Sequence, residues 1–206
     1  MIWETQHAVE RLNDSLSARY VEPRWYVAQT CSRHEKTVAE QLGCRGIENF
    51  LPLYERVSRW KDRRVRLQLP LFAGYVFIHL PLRDRLRVLE IPGVARLVGF
   101  GGLPTAVPNE EMEALREALK GNLRMGPHPY LNAGRRVLIT GGPLAGLEGI
   151  LVRKKNQYRL VLSIELIQRA VFVDVDVADV APQRGSVPLP GIARQQNSAH
   201  LLKEAR

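Results

Sequence analysis

The feature that most constrains this chain is an apolar stretch, Pro70–Ile78, with a glycine near its middle. A strand with one solvated face alternates polar and apolar residues, whereas this stretch is apolar on both faces. As a strand it is therefore expected to be central in a sheet or covered by a partner. A bulge at Gly74 would place Phe72 and Tyr75 on the same face. Taken alone, the pattern favours a buried core strand.

The charge balance indicates a polyanionic partner. The 206 residues carry a formal net charge of +9, with nucleic acid the first expectation and an anionic membrane surface the second. No apolar run is long enough to cross a bilayer, and the first twenty residues lack the apolar core of a signal peptide. A soluble, cytoplasmic protein is expected. Cys31 and Cys44 are too few for a disulfide framework or a structural zinc site.

The N-terminal half alternates strand and helix signals. Residues 1–23 are weakly patterned and predict a flexible extension, followed by a strand over Trp25–Thr30. Ser32 and Glu35 have the spacing of a capping box at the start of a helix. A second helix is expected around Leu82–Leu89, a strand over Val94–Phe100, and a third helix from Asn109 that ends at Gly121. This order predicts an α+β layer with helices on a mostly antiparallel sheet over residues 24–121.

Two basic clusters stand out within that half. Residues 49–71 predict a β-hairpin, with a basic tip and an apolar face that carries Val65, Leu67, Leu69 and Leu71, opposite a face that carries Arg64, Arg66 and Gln68. Dense arginine with an interleaved aromatic suits phosphate contact and base stacking, although a charged edge strand is the alternative. The predicted nucleic-acid-binding residues are Arg33, His34, Lys36, Arg59, Trp60, Lys61, Arg63, Arg64 and Arg66.

The C-terminal half has the pattern of a small β-barrel. The Pro- and Gly-containing segment 122–133 predicts a semi-rigid linker without regular structure. Residues 134–182 contain about five short, turn-linked strand patterns, which are typical of a small barrel. Residues 183–206, rich in Gln, Ser, Pro and Gly, predict a flexible tail.

No pattern specifies catalysis. The glycine-rich turns at 99–102 and 141–146 lack the Lys-Ser/Thr of a P-loop, and the five histidines are scattered. Glu110, Glu111 and the aspartates around Asp174 are expected on helix and strand exteriors. We therefore expect no enzyme activity, no cofactor and no metal.

Several stretches together resemble NusG-type transcription factors. Arg24–Val27, Leu71–Phe77 and Ile91–Phe100 resemble their N-terminal domain, and Gly134–Gly149 resembles their KOW motif, in matching order and spacing. The resemblance implies an NGN-like α/β sandwich with an antiparallel sheet, a linker, and an SH3-like KOW barrel. It also implies a monomer without membrane association.

The resemblance further implies a transcription elongation or antitermination factor. The N-terminal domain would grip the clamp helices of the largest catalytic RNA polymerase subunit, and its basic face would lie near upstream and non-template DNA. The residues expected to bind polymerase on this basis are Trp25, Tyr26, Phe72, Gly74, Tyr75 and Val76. Where the family usually has Phe-Pro-Gly-Tyr, this chain has Ala73, which is expected to loosen the turn.

For the barrel, the resemblance implies contact with the Rho termination factor or a small-subunit ribosomal protein. Leu166 and Ile167 fall where the family's exposed apolar contact lies, and ordinary packing is an equal alternative. The basic hairpin and Ser163–Arg169 are similar to specialised paralogs of the UpxY and RfaH kind, which act on long operons. In RfaH-like relatives this domain can refold as helices, but the alternation over Val171–Val175 predicts a stable strand here.

Other interpretations stay open from the sequence. The chain is alternatively a housekeeping NusG, or a general KOW-type RNA- or ribosome-binding protein, which the +9 charge would also suit. An enzyme that holds a nucleotide in the glycine-rich turns has the least support.

Overall fold

The computed structural model describes residues 20–60, 63–121, 123–131, 135–154 and 157–182. Most of the predicted N-terminal extension and the whole predicted tail, 183–206, lie outside the described residues. The helices and strands of the N-terminal half are β1 (Arg24–Thr30), α1 (Glu35–Cys44), β2 (Glu48–Phe50), β3 (Leu53–Trp60), β4 (Arg63–Pro70), β5 (Tyr75–Leu80), α2 (Arg85–Leu89), β6 (Val94–Leu97), β7 (Gly99–Phe100), β8 (Leu103–Pro104) and α3 (Asn109–Lys120).

A four-stranded antiparallel sheet forms the centre of this half, with strand order β2-β5-β1-β6. Alternation sends successive side chains of β1 to opposite faces. Tyr26 packs in a buried cluster with Val38 of α1 and Val88 of α2. Its neighbour Trp25 packs in a second cluster with Met112 and Leu115 of α3. The predicted layer of helices on an antiparallel sheet is thus confirmed, with helices on both faces.

The apolar stretch Pro70–Ile78 is not one strand, as the sequence suggested. Strand β4 ends at Pro70, residues 71–74 turn, and β5 begins at Tyr75. Gly74 has a φ of +84°, a conformation that glycine adopts without the steric cost of a Cβ atom. The glycine therefore reverses the chain where a bulge within a strand was expected.

Strands β3 and β4 form a separate two-stranded antiparallel sheet, which we call the basic ribbon (residues 53–60 and 63–70). The hairpin is as predicted. It leaves the four-stranded sheet after β2 and returns to it at β5, so both of its strands join the sheet at the Leu53–Pro70 end, opposite the Trp60–Arg63 end.

The C-terminal half is β-rich, as predicted. Its strands are β9 (Met125–His128), β10 (Arg135–Ile139), β11 (Glu148–Lys154), β12 (Gln157–Ile164), β13 (Arg169–Val175) and β14 (Val180–Pro182). They form one antiparallel sheet in the order β14-β10-β11-β12-β13-β9, called here the C-terminal sheet. Val171–Val175, whose alternation predicted a strand, lies within β13.

The segment predicted as a linker is in part regular structure. Strand β9 lies within residues 122–133 and pairs with β13, with Gly126 opposite Phe172 and Pro127 opposite Val171. An edge strand tolerates proline because one side of it makes no ladder hydrogen bonds. Gly126 is also required there, because an added Cβ would stand 2.9 Å from the Phe172 ring. The expectation that proline excludes a strand was therefore wrong at this edge.

The two halves pack against each other through α3. Buried residues of this helix, among them Leu115 and Ala118, belong to the same apolar cluster as Leu162 and Ile167 of the C-terminal half. At the end of the helix, Gly121 lies so close to Pro143 that an added Cβ would be 3.4 Å from the proline Cβ. Helix α3 thus has two buried sides, one toward the N-terminal sheet and one toward the C-terminal sheet.

Candidate functional surfaces

The turn over Phe72–Tyr75 brings two predicted aromatics to one face. The Tyr75 amide donates to the Phe72 carbonyl at 3.1 Å, and Gly74 at the third position has positive φ. This is the arrangement of a type II turn, which requires positive φ at that position. Phe72 and Tyr75 both join the cluster on the α3 side of the sheet, which is the shared face that the sequence predicted.

Two hydrogen bonds fix this turn to the start of the sheet and of α1. The Gly74 amide donates to Glu35 Oε1 at 2.7 Å, and the Thr30 amide donates to the Gly74 carbonyl at 2.8 Å. Glu35 is buried, although it is the first residue of its helix. The predicted capping box is therefore wrong. His34 is the N-cap and makes no side-chain capping bond, since its ring Nδ1 lies 2.9 Å from the Ser32 carbonyl, and the Glu35 carboxylate accepts from Gly74 instead.

The six residues expected to bind polymerase do not share one surface. Phe72 is only 2% exposed and meets Phe77 edge-on at 5.5 Å between ring centroids. Tyr26 and Val76 are buried on the opposite side of the sheet, beneath α1 and α2. Tyr75 is half-buried, so among these aromatics it offers the most accessible side chain at the turn.

Trp25 is covered by a polar network that the sequence did not indicate. Its ring stacks on His79 at 4.9 Å, and the guanidinium of Arg116 from α3 lies 4.4 Å from its centroid. Glu48 joins the other two, with Oε1 3.1 Å from Arg116 and Oε2 2.8 Å from His79 Nδ1. These residues come from distant parts of the chain, so no local pattern could have revealed the network.

The network also sets the acidity of Glu48. Burial by itself acts to raise the pKa of this carboxyl group. Hydrogen bonds from Arg116 and His79, together with their charges, outweigh burial and hold the pKa below its ordinary value. Glu48 is therefore stabilised in its charged form.

The basic ribbon presents arginines in register. Arg59 lies directly opposite Arg64, Trp60 opposite Arg63, and Val57 opposite Arg66. Like charges directly across a strand pair are destabilising unless an anion is present. Arg66 approaches Glu55 at 3.6 Å, whereas Arg59, Arg63 and Arg64 have no carboxylate partner within the part of the chain that the structure describes.

The second basic cluster lies at the beginning of α1. Arg33, His34 and Lys36 are exposed at the beginning of α1, next to Glu35 and hence next to Gly74. The α1 cluster therefore lies beside the Phe72–Tyr75 turn, whereas Arg59 and Arg64 lie toward the tip of the ribbon, away from its Pro70 end. On the other face of the ribbon Val65, Leu67 and Leu69 are half-buried, as the alternation predicted, and Lys61 lies outside the described residues.

The residues expected to bind a partner of the C-terminal half are packed rather than exposed. Leu166 and Ile167 lie in a 3-10 turn, Glu165–Ile167. Ile167 is 7% exposed, and Leu166 packs partly buried against the apolar cluster that contains α3. Both side chains therefore fit the alternative interpretation, in which they are ordinary packing residues of this half. Their role as contacts for a partner stays a prediction.

The burial of one carboxylate differs from the prediction. Glu111 was expected on the exterior of α3, but it is half-buried against the 3-10 turn, and its Oε2 atom is buried without a hydrogen-bond partner. Its spacing from Leu115 and Ala118, four and seven residues on, places it on the packed side of the helix. This spacing is the sequence feature that could have placed Glu111 on the packed side of the helix. Asp174, likewise expected outside, pairs with the buried Arg159 at 2.8 Å.

Metal and membrane sites are not indicated in the described ranges. Within them, no three His, Cys, Asp or Glu side chains come close enough together to hold a metal ion. No helix among these residues is both long and apolar enough to span a membrane.

Comparison with known proteins shows what this chain is similar to. A family model described as "Transcription termination factor nusG" matches residues 23–116, which include the four-stranded sheet, the basic ribbon and the Phe72–Tyr75 turn. The sheet with helices on both faces, the β-rich C-terminal half and this match support a NusG-type factor.

The relatives name the activity more particularly. "Transcription termination/antitermination protein NusG" of Borreliella burgdorferi is 25% identical over 173 residues, covering 74% of this chain and 94% of the relative. The protein of the same name from Campylobacter jejuni is 27% identical over 165 residues, covering 74% and 93%. This chain is accordingly similar to NusG-type transcription termination/antitermination proteins.

Among solved structures, one described as "Domain interaction in Thermotoga maritima NusG" is similar to this chain. It is 22% identical, with a TM-score of 0.47, and the match covers 78% of this chain and 97% of that one.

Proposed function

We propose that this chain is a transcription elongation and antitermination factor that binds RNA polymerase through its N-terminal half. The observation that carries the proposal is the Phe72–Tyr75 turn, which is fixed by Glu35 and Thr30 beside the exposed basic residues at the start of α1 and follows directly on the basic ribbon. The clamp helices of the largest catalytic subunit contact the surface around Tyr75. A helix laid against an apolar surface is a common mode of recognition.

The basic ribbon supplies the nucleic-acid contact in this proposal. Arg59, Arg63 and Arg64 contact the phosphates of upstream and non-template DNA, which relieves the repulsion between the cross-strand pair Arg59 and Arg64. Binding polymerase and DNA together holds the elongation complex closed and suppresses pausing or termination. The factor acts in the cytoplasm, as a specialised paralog on selected long operons. Its C-terminal half contacts Rho or a small-subunit ribosomal protein through Leu166 and Ile167.

Retention of core RNA polymerase by the immobilised full-length chain tests the proposal. Tyr75→Ala should greatly reduce retention, because a buried interface aromatic is worth about 2 kcal/mol or more. Phe100→Ala is the matched control, because this aromatic is 72% exposed and lies on the separate β7–β8 hairpin. Equal retention of wild type and Tyr75→Ala would remove the turn from the interface. Failure of the wild type to bind would overturn the polymerase assignment.

A second candidate, a general RNA- or ribosome-binding protein, is favoured by the exposed arginines of the ribbon. It predicts co-sedimentation with ribosomes in the absence of polymerase. If ribosomes retain the chain and core polymerase does not, this second function replaces the first. Transcription through a pause site with purified polymerase then distinguishes a bound factor that alters elongation from one that does not.

A further inference from the structure

The packing of α3 on the C-terminal half leaves a cleft beside it. The cleft has a volume of about 730 Å³. Helix α3 forms one wall, and residues of β10, β11 and β12, with the start of the 3-10 turn, form the other. The charged side chains that line it are Glu110, Glu111, Glu113 and Glu117 from α3, Glu148 from β11, Glu165 from the 3-10 turn, and Arg136 from β10.

Six carboxylates thus face one guanidinium across the boundary between the halves, in a chain whose net charge is +9. Five of these carboxylates are exposed, and Glu117 pairs with Lys120, whereas Glu111 is half-buried. Like charges oppose each other more strongly where water is partly excluded, so the repulsion acts mainly on Glu111. The excess of negative charge therefore works against the contact that the apolar cluster favours. A proton on one of these carboxylates would remove part of that opposition.

Glu111 is the carboxylate placed to take the proton. Its Oε2 atom is buried without a hydrogen-bond partner, and the Glu165 backbone amide donates to its carboxylate. Burial raises the pKa of Glu111 to about 7, and the charges of Glu165 and Glu110 add to that effect while the Glu165 amide opposes it. The hydroxyl of Ser163, which lines the same cleft, is likewise buried without a partner.

We propose that a proton on Glu111 stabilises the packing of α3 against the C-terminal sheet, and that losing this proton weakens the contact between the two halves. The proposal does not depend on the proposed function. When the halves separate, Glu111 is solvated and its carboxyl group returns to an ordinary acidity. The 3-10 turn with Leu166 and Ile167, which packs on the same cluster, then becomes accessible.

The direction of the pH effect follows from the two acidities. The pKa of Glu111 is about 7 in the packed arrangement and has an ordinary value of 4.5 in water. The packed arrangement therefore holds the proton over a range in which the separated one has lost it. Packing is strongest at low pH, weakens as the pH rises from about 4.5 to about 7, and is constant above that range. Between pH 5 and pH 8 the ratio of packed to separated protein should fall on the order of 100-fold.

Nuclear magnetic resonance on the full-length chain tests this. The Glu111 carboxyl carbon should titrate with a pKa near 7. Backbone ¹⁵N relaxation gives the rotational correlation time of each half. The two times should agree at pH 5, and the time of the C-terminal half should become shorter than that of the N-terminal half at pH 8. A Glu111 pKa near 4.5, or correlation times that do not change between the two pH values, would overturn the proposal.

Two variants distinguish a proton on Glu111 from a proton on a neighbouring carboxylate. Glu111→Gln is a neutral side chain of the same shape, so the halves should stay packed at both pH values. Glu113→Gln removes one charge from the same helix at an exposed position and should keep the pH dependence of the wild type. If Glu111→Gln retains the wild-type pH dependence, or Glu113→Gln abolishes it, the proton is not on Glu111.

Discussion

Glu35 and Gly74, 39 residues apart in sequence, are joined by a hydrogen bond of 2.7 Å from the glycine amide to the glutamate carboxylate. This bond connects the first turn of α1 to the turn that begins β5. It holds Gly74, the third residue of the Phe72–Tyr75 turn, in a conformation with positive φ. The position of Tyr75 therefore depends on a side chain from another element.

Removing that carboxylate should destabilise the protein. Glu35→Ala leaves the Gly74 amide without its acceptor, which should lower the free energy of unfolding by about 1–3 kcal/mol. Glu35→Gln keeps an acceptor oxygen and should cost less. Urea unfolding measures both. Glu40→Ala, at an exposed position of the same helix, is the control, and a Glu35→Ala variant as stable as this control would contradict the assignment.

Restoring proline to the turn should have the opposite effect. Ala73 is exposed at the second position of the type II turn, where proline is favoured. Ala73→Pro should raise the free energy of unfolding by about 0.4–1 kcal/mol, because the unfolded chain loses conformations. Thermal unfolding checks the sign of this change.

Gly74→Ala provides the paired test of the same turn. An added Cβ would meet no atom within 4 Å, so steric crowding by neighbours is not expected. The φ of +84° remains, and a residue with a Cβ should cost about 1–2 kcal/mol in that conformation. If Gly74→Ala is as stable as the wild type, the turn is not held in this conformation in solution.

Phe72 should behave as a core residue. At 2% exposure, packed edge-on against Phe77, its replacement by alanine should lower the free energy of unfolding by about 3–5 kcal/mol. A loss of polymerase binding in Phe72→Ala would then reflect unfolding. Phe100→Ala, at 72% exposure, should change stability by less than about 0.5 kcal/mol. Chemical denaturation of the two variants in parallel makes the comparison.

The ribbon arginines should determine the salt dependence of nucleic-acid binding. Replacing Arg59 and Arg64 together with glutamine should weaken binding to single-stranded DNA. It should also reduce the slope of log affinity against log salt by about 1.4, or about 0.7 for each lost phosphate contact. Arg83→Gln, an exposed charge outside the ribbon, is the control for net charge. An unchanged slope in the double variant would place the DNA contact elsewhere.

The charged form of Glu48 should stabilise the fold at neutral pH, and this contribution should be lost in acid. Because its pKa is lowered in the folded state, its contribution is present above pH 4.5 and is lost as the pH falls through the folded pKa. Glu48→Gln should therefore flatten the loss of stability below pH 4.5, as measured by urea midpoints between pH 3 and pH 6. Glu40→Gln should leave that profile as in the wild type.

The sequence predicted what depends on local periodicity. Alternating Val65, Leu67 and Leu69 located the ribbon, and the alternation over Val171–Val175 located β13. Proline at 127 was interpreted as excluding a strand, because the sequence does not show that this segment would become a sheet edge. The two apolar faces of Pro70–Ile78 were correct as a sign of burial but not of a continuous strand.

The site was predictable only in part, for a related reason. Gly74 indicated that Phe72 and Tyr75 would share a face, because glycine alters the local path of the chain. The partners that hold or cover the aromatics, Glu35 and Arg116, come from other elements. The local sequence favours Glu35 as part of a helix cap, but in the folded chain its carboxylate accepts a hydrogen bond from Gly74 instead. Pairing across 39 residues is not encoded in any local pattern.

Because β9 belongs to the C-terminal sheet, four residues, 121–124, connect the end of α3 at Lys120 to the next strand at Met125. Fully extended, this connection spans about 18 Å. Separation of the halves is therefore a short hinged movement, and the effective concentration of one half near the other stays high. A partner that binds the released 3-10 turn must compete with a neighbour that never diffuses away, so its apparent affinity measures the strength of that internal contact as much as its own.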